Sequence, residues 1–397
     1  MDSVWKADSF QVVYARQPFP TTVTKTLFLA GPTPRKKGVE GWRKEALHIL
    51  RQLGFDGTVF VPEPEDGTWA SDYDGQIEWE EEGLNRADCI VFWMPRDITG
   101  GNLWSFPMPA LTTNDEWGVW KDSGKVVFGA PADAQKVNYQ VYFAKKLGVP
   151  IANTLPGVLG AAIDKIGEGS LRTGGECAVP LYIWRKKEFQ SWYAAQVAAG
   201  NRLDGARVVW TLQVPPPAFG LGPPKHLFGY TLHVDVHIGS ENRNKRNEVV
   251  LFRTDISVVL MYRGNEIVLV REFRSPVRNS AGFVYELPGG SSFKPGEDPR
   301  QVAAHEVNEE TGLEIEPVRL VEHERRQLVA TLSAHEAKLF SVELTQDEID
   351  RLRQDHEVHG VVEDTEQTYV EVKSLKEILE RSLLDWSSVG MILSVLH

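Results

Sequence analysis

Three glutamates, Glu306, Glu309 and Glu310, carry the sharpest chemical signal in the chain. Helix positions three and four apart lie on one face, so a helix here sets the three carboxylates side by side. Like charges at that spacing repel, which is costly unless a cation sits among them. Hard carboxylate oxygens suit Mg2+ or Mn2+, and such ions in turn take diphosphate oxygens. The bland alternative is a solvated acidic helix face.

The flanking residues predict that helix. Asp298 is an N-cap type, Pro299 suits the first helical position, and Gln301 would complete a capping box. Gly312 can stop the helix in the left-handed region. The spacing therefore predicts a helix over residues 299–311.

The whole stretch 289–313, GGSSFKPGEDPRQVAAHEVNEETGL, resembles the Nudix box. Two departures stand outside the carboxylate trio: six residues separate Gly290 from Glu297, one more than the family pattern, and His305 stands where the family has Arg. The resemblance extends over about residues 180–397. Within the superfamily it is most similar to the ADP-ribose pyrophosphatases, through the run VREFRSPVRNSAGFVYELPGG from Val270 to Gly290.

The resemblance implies an α+β Nudix fold, a mixed sheet in an α/β/α sandwich. It also implies Mg2+- or Mn2+-dependent hydrolysis of a nucleoside diphosphate linked to another group. The metal would be held by Glu306, Glu309, Glu310 and the backbone carbonyl of Gly289. Glu309 and a downstream loop carboxylate, Glu363 or Glu366, would serve catalysis. Arg274 and Arg278 would clamp phosphate, since a guanidinium fork matches it.

A second set of residues lies near the N-terminus. LFLAGPTPR (Leu27–Arg35) puts Gly31-Pro32 at the end of a short apolar run, where ligands of open α/β sheets bind. Then come Trp79-Glu80, Ala87-Asp88, Thr113-Asn114-Asp115-Glu116-Trp117-Gly118 and Ser123-Gly124-Lys125-Val126-Val127. Over about residues 24–165 this resembles the nucleoside 2-deoxyribosyltransferases and their nucleotide N-glycosidase relatives. The resemblance implies that Glu116 attacks the anomeric carbon and that Glu80 contacts sugar and base. Gly31, Pro32 and Asp88 would join Glu80 on the substrate side. It further implies a homodimer. A carboxylate can trap an oxocarbenium-like sugar as a covalent glycosyl-enzyme that water then releases. The loop 95–112, with Trp104, Pro107 and Pro109, is longer than the family pattern and would act as a lid or obstruct the pocket. The competing reading keeps the Nudix hydrolase and makes the N-terminal domain a non-catalytic nucleotide-binding or sensor module.

Positioning these residues requires two folds. From Thr26 onward, short apolar runs (26–30, 58–61, 89–93, 125–129) alternate with helical patterns (39–53, 76–86, 115–121). That order predicts an α/β doubly wound parallel sheet. Strand-like runs dominate later, at 206–212, 227–237, 248–252, 256–263 and 266–272. The non-periodic LRTGGE suggests a linker near 170–180, giving an N-terminal domain over 1–170 and a C-terminal domain over 180–397.

At 397 residues and 42% hydrophobic composition, the chain can bury a core in each. Its net charge of −12 argues against a nucleic-acid polymer as partner while leaving room for one small phosphorylated ligand. Two cysteines are too few for a disulfide framework or a zinc site. The opening residues lack a signal-peptide pattern and no apolar run reaches membrane-spanning length, so the expectation is a cytoplasmic protein without membrane attachment.

Overall fold

The computed structural model describes residues 10–36, 38–69, 72–100, 105–214, 226–291, 296–361 and 366–396. The chain divides into two compact units, Met1–Val249 and Val250–His397.

The first unit opens with β1 (Gln11–Tyr14), β2 (Thr22–Val23), β3 (Thr26–Ala30), α1 (Arg43–Gln52), β4 (Thr58–Val61) and α2 (Asp74–Arg86). It continues through β5 (Cys89–Trp93), α3 (Leu111–Trp120), β6 (Val126–Gly129), α4 (Asn138–Leu147), β7 (Ile151–Ala152) and α5 (Leu155–Ile166). Six strands form one sheet in the order β1-β4-β3-β5-β6-β7. Every pair is parallel. The inner strands β3, β4, β5 and β6 are buried throughout and read as nearly unbroken apolar runs because both sheet faces are covered. Leu27, Leu29, Val59, Val61 and Val91 pack with α1 and α5 residues, while Phe28, Phe60, Ile90, Phe92 and Phe128 pack with residues of α2, α3 and α4. This is the doubly wound sheet expected from the alternation of strands and helices. β1 was not expected; it extends the edge beside β4.

The expected linker near 170–180 is corrected by the structure. Here β8 (Arg172–Thr173) pairs with β2. Arg172 is fully buried, and Thr173 and Glu176 form a capping box on the short turn that follows. After α6 (Leu181–Trp184) and α7 (Lys187–Ala198) come β9 (Arg202–Val214), β10 (His226–Ile238) and β11 (Arg243–Arg253), a three-stranded sheet ordered β11-β10-β9. Up to Val249 this segment belongs to the first unit rather than opening the second, and β11 runs across the division. A Cβ on Gly175 would lie 2.4 Å from the Leu203 carbonyl oxygen, so the turn touches β9 through bare backbone.

The second unit comprises β12 (Ile256–Arg263), β13 (Glu266–Phe273), β14 (Phe283–Glu286), β15 (Gly289–Gly290), α8 (Pro299–Thr311) and β16 (Val321–Gln327). β17 (Glu336–Glu343), α9 (Gln346–Arg353), β18 (Thr368–Ser374), α10 (Leu375–Glu380) and α11 (Trp386–Leu396) complete it. The seven strands make a mixed sheet: β12 and β17 run parallel, whereas β13 runs antiparallel to β12, β14 and β18. Alternate residues face opposite sides. Val259, Met261 and Val268 pack with Ala303 and Val307 of α8 and Ile349 of α9; Val258, Leu260 and Ile267 pack with Ile378 of α10 and Ile392 of α11. Helices on both faces of a mixed sheet give the α/β/α sandwich that the sequence implied.

Candidate active sites

In the first unit the chain leaves β3 for β4 on one side and crosses to β5 on the other. The crevice at the carboxyl ends of strands flanking such a switch point is where open α/β sheets bind ligands. Gly31 lies there because nothing larger fits: a Cβ would lie 2.2 Å from the Trp93 carbonyl oxygen and 2.7 Å from the Trp42 ring. The Trp42 indole donates to the Pro32 carbonyl oxygen at 3.1 Å, fixing the Gly31-Pro32 turn.

Glu80, on α2, lies close enough to Glu116, on α3, for its charge to act there, and Arg43 acts on both. Burial, then Glu80, then Asp115 push the Glu116 carboxyl up to about 8, against the opposing pull of Arg43. Burial also raises Glu80, countered by a 2.7 Å hydrogen bond from the Gln76 amide and by Arg43.

Arg43 and Glu63 escaped the sequence reading. Arg43 is 2% exposed. Its guanidinium donates to the carbonyl oxygens of Leu29 (3.0 Å) and Gly31 (2.6 Å), to Thr33 Oγ1 (3.1 Å) and to Glu63. An arginine in the first turn of an otherwise apolar helix face was the available signal.

Asp88 is not in this crevice. It immediately precedes β5, at the opposite end of the strand, with its side chain enclosed. Its carboxylate accepts from the Thr26 amide (2.8 Å), both Arg172 terminal nitrogens (2.8 and 2.6 Å) and the Leu181 amide (2.7 Å). It is a clamp joining β3, β5 and β8, which corrects its expected place on the substrate side. Trp104 lies outside the described residues.

In the second unit, α8 spans Pro299–Thr311 with Asp298 as N-cap and Gly312 as a left-handed C-cap at φ 65°. The cap bond goes to the amide of Arg300 (3.0 Å) rather than to the third helical residue that a capping box requires. Ser257 Oγ of β12 donates to the Pro299 carbonyl oxygen at 3.0 Å, pinning the helix start.

Glu310 is 4% exposed, and its carboxylate accepts from the Gly289 amide at 3.0 Å. Burial raises it well above the carboxylate range, with added repulsion from Glu306, Glu366 and Glu286. Glu306 reaches about 7 through burial and the charges of Glu309 and Glu366. A Cβ on Gly290 would lie 2.5 Å from Glu306 Oε1, so β15 meets the carboxylates as bare backbone.

Glu366 enters from the segment before β18, which is seated on the end of α8. The Gly360 amide donates to the Glu309 carbonyl oxygen (2.9 Å) and Thr368 Oγ1 to that of Glu310 (3.0 Å). Glu363 lies outside the described residues.

The donor set fits a hard divalent cation: buried carboxylates that repel one another beside a side-chain-free backbone. The Glu309 carboxylate meets His305 Nδ1 at 3.0 Å while its charge acts on Glu306. Among the described residues no three acidic, imidazole or thiol side chains converge at ligating distance.

Arg274 is held by Glu286 (3.0 Å) and Glu272 (2.8 Å) instead of standing free as a phosphate clamp. Arg278 is exposed on the loop between β13 and β14. Glu272 and Glu286, missed in the sequence, thus border the site. Their alternation in VREF and VYEL, pointing one carboxylate per strand toward α8, was the available signal.

Comparison with known proteins matches two segments of the chain. Residues 251–386 are a NUDIX domain, and residues 24–134 are a nucleoside 2-deoxyribosyltransferase-like domain, fused in one chain. The NUDIX domain supports hydrolase activity on nucleoside diphosphates, and domains of its kind use divalent metals such as Mg2+ or Mn2+. A curated relative is the methanol dehydrogenase activator of Bacillus methanolicus, 38% identical over 82 residues. The match covers 21% of this chain and 42% of that protein. Among the described residues no helix is long and apolar enough to cross a membrane.

Proposed function

We propose that the second unit is a Mg2+- or Mn2+-dependent hydrolase of a nucleoside diphosphate derivative of the ADP-ribose or nucleotide-sugar type. The burial of Glu306 and Glu310 together against Gly289 and Gly290 carries this reading. Folding forces like charges into one small volume, which a divalent cation would relieve. Glu306, Glu309, Glu310 and the Gly289 carbonyl would hold the ion; when bound, it supplies charge neutralisation of the diphosphate and a lowered pKa for the attacking water. Glu366, whose charge acts on both Glu306 and Glu310, would orient that water and take its proton. Glu363, from the same segment, is the alternative base. Arg274 would grip phosphate when substrate draws it from Glu286, and Arg278 would add a second contact from its loop. Turnover of ADP-ribose with Mg2+, read as AMP and a sugar phosphate, tests this directly.

The site in the first unit is proposed to break or exchange the N-glycosidic bond of a nucleoside or nucleotide. Glu116 would be the nucleophile, Glu80 the residue against sugar and base, and Gly31-Pro32 the turn beneath the ligand. A homodimer in a reducing cytoplasm fits this reading, with Cys89 and Cys177 both free and buried. One observation favours the competing reading of a binding or sensor module. With Glu116 pushed up to about 8, its resting carboxyl is mostly protonated at neutral pH and a poor nucleophile. Release of free base by wild type but not by Glu116→Gln supports catalysis; no release by wild type supports the sensor.

A further inference from the structure

We propose that Arg43 is the positioning residue of the N-terminal site: its guanidinium ties the carboxyl ends of β3 and β4 together and sets the positive charge against which Glu80 and Glu116 work. The proposal rests on the reading of that crevice as a ligand site and adds to it a residue that touches no substrate.

The geometry carries the argument. The side chain is 3% exposed and rises from the first turn of α1 beneath the switch point. Nε and Nη2 bind β3 and its turn through the Leu29 and Gly31 carbonyl oxygens; Nη1 reaches both Thr33 and Glu63, two residues beyond β4. Thr33 Oγ1 also donates to Glu63 at 3.1 Å, closing a ring of three side chains. Arg43 therefore fixes the Gly31 carbonyl, and with it the turn on which a ligand would rest.

Structural arginines are usually neutralised by their partners. Here one carboxylate, Glu63, makes the direct ion pair, while Glu80 from α2 and Glu116 from α3 feel the same charge at longer range. Asp115, beside Glu116, acts in the opposite sense. A buried charge of this kind is screened little, so it reaches both carboxylates and opposes the larger upward push of burial on each. Glu63 competes for that charge. Removing Arg43's charge and removing Glu63's charge must therefore move the two working carboxylates in opposite directions.

The experiment uses the full chain. Carboxyl carbons of 13C-labelled glutamate are titrated by NMR, with Glu80→Gln and Glu116→Gln assigning the signals. Thermal unfolding is followed in parallel. Glu63→Gln should lower the midpoints of Glu80 and Glu116. Arg43→Gln should raise them, and Arg43→Lys should restore most of the shift. If Arg43→Gln does not fold, Glu63→Gln and Arg43→Lys alone decide the matter. A purely structural arginine would change the melting temperature while every midpoint stays at its wild-type position, and that result overturns the proposal. So do shifts of the same sign in Glu63→Gln and Arg43→Gln. These readouts need no turnover, so a chain that releases no base sinks the catalytic reading of the crevice without touching this test. Where base is released, each pH unit of midpoint shift should appear as about a tenfold change in kcat/KM on the acid limb.

Discussion

The Gly289 amide donates to the Glu310 carboxylate across 3.0 Å, joining β15 to α8. That bond makes Glu310 a folding element as well as a proposed ligand. Glutamine can still accept it through Oε1, and it removes a charge that burial and neighbouring carboxylates disfavour. Glu310→Gln should therefore unfold at or above the wild-type temperature in EDTA, as read by calorimetry. Glu310→Ala, which leaves the amide unsatisfied in a buried site, should cost about 1–3 kcal/mol.

Glu306 gives a pH signature. Its folded pKa lies near 7 against an ordinary 4.5, so the folded state holds the proton more tightly than the unfolded chain. The stability this contributes is complete below pH 4.5 and is lost as pH rises through 7. Metal-free protein should lose stability over that window, and Glu306→Gln should flatten the loss. Chemical denaturation at several pH values in EDTA measures both slopes.

A divalent ion that binds only the folded second unit must stabilise it by mass action, about 2.7 kcal/mol at a hundred times Kd. Mg2+ or Mn2+ should raise its melting temperature in wild type and much less in Glu306→Gln. An equal rise in both would show that the ion binds elsewhere.

Asp88 and Arg172 are 1% and 0% exposed and are bonded to each other through two contacts. Breaking such a pair strands a buried charge and should cost about 3–5 kcal/mol. Arg172→Met should destabilise the first unit by that order, while any folded fraction keeps wild-type KM for base release. A raised KM with unchanged stability would return Asp88 to the substrate side.

Glu116 as nucleophile must be ionised, and it titrates near 8. Base release should therefore fall about tenfold per pH unit below 8 and level off above it. A profile flat from pH 6 to 9 would assign the nucleophile's role to another group.

Much of this was legible in the chain because the signals were local. Thr26–Ala30, Thr58–Val61 and Cys89–Trp93 are short apolar runs buried on both faces, and each became a strand at its expected limits. The cap residues Asp298 and Gly312 bracketed α8 to the residue. What the sequence hid was long-range pairing. Arg43 meets Glu63 across twenty positions, and Arg172 meets Asp88 across eighty-four, so neither partner announces the other. The same blindness placed a linker at 170–180: a run without periodicity looks like loop until a buried arginine anchors it. Arg274 read as a free clamp because Glu286, its partner, lies on the next strand.

The central claim is that the clustered carboxylates of α8 exist to serve a metal-dependent diphosphate hydrolase. Steady-state hydrolysis of ADP-ribose with Mg2+ by wild type, Glu309→Gln and Glu310→Gln, each checked for folding by circular dichroism, tests it most directly. The account predicts turnover by wild type, none in EDTA, and a loss of about a hundredfold or more in both variants, in the range seen when one electrostatic contact to a transition state is removed. Equal Mg2+-dependent turnover in all three proteins would contradict it.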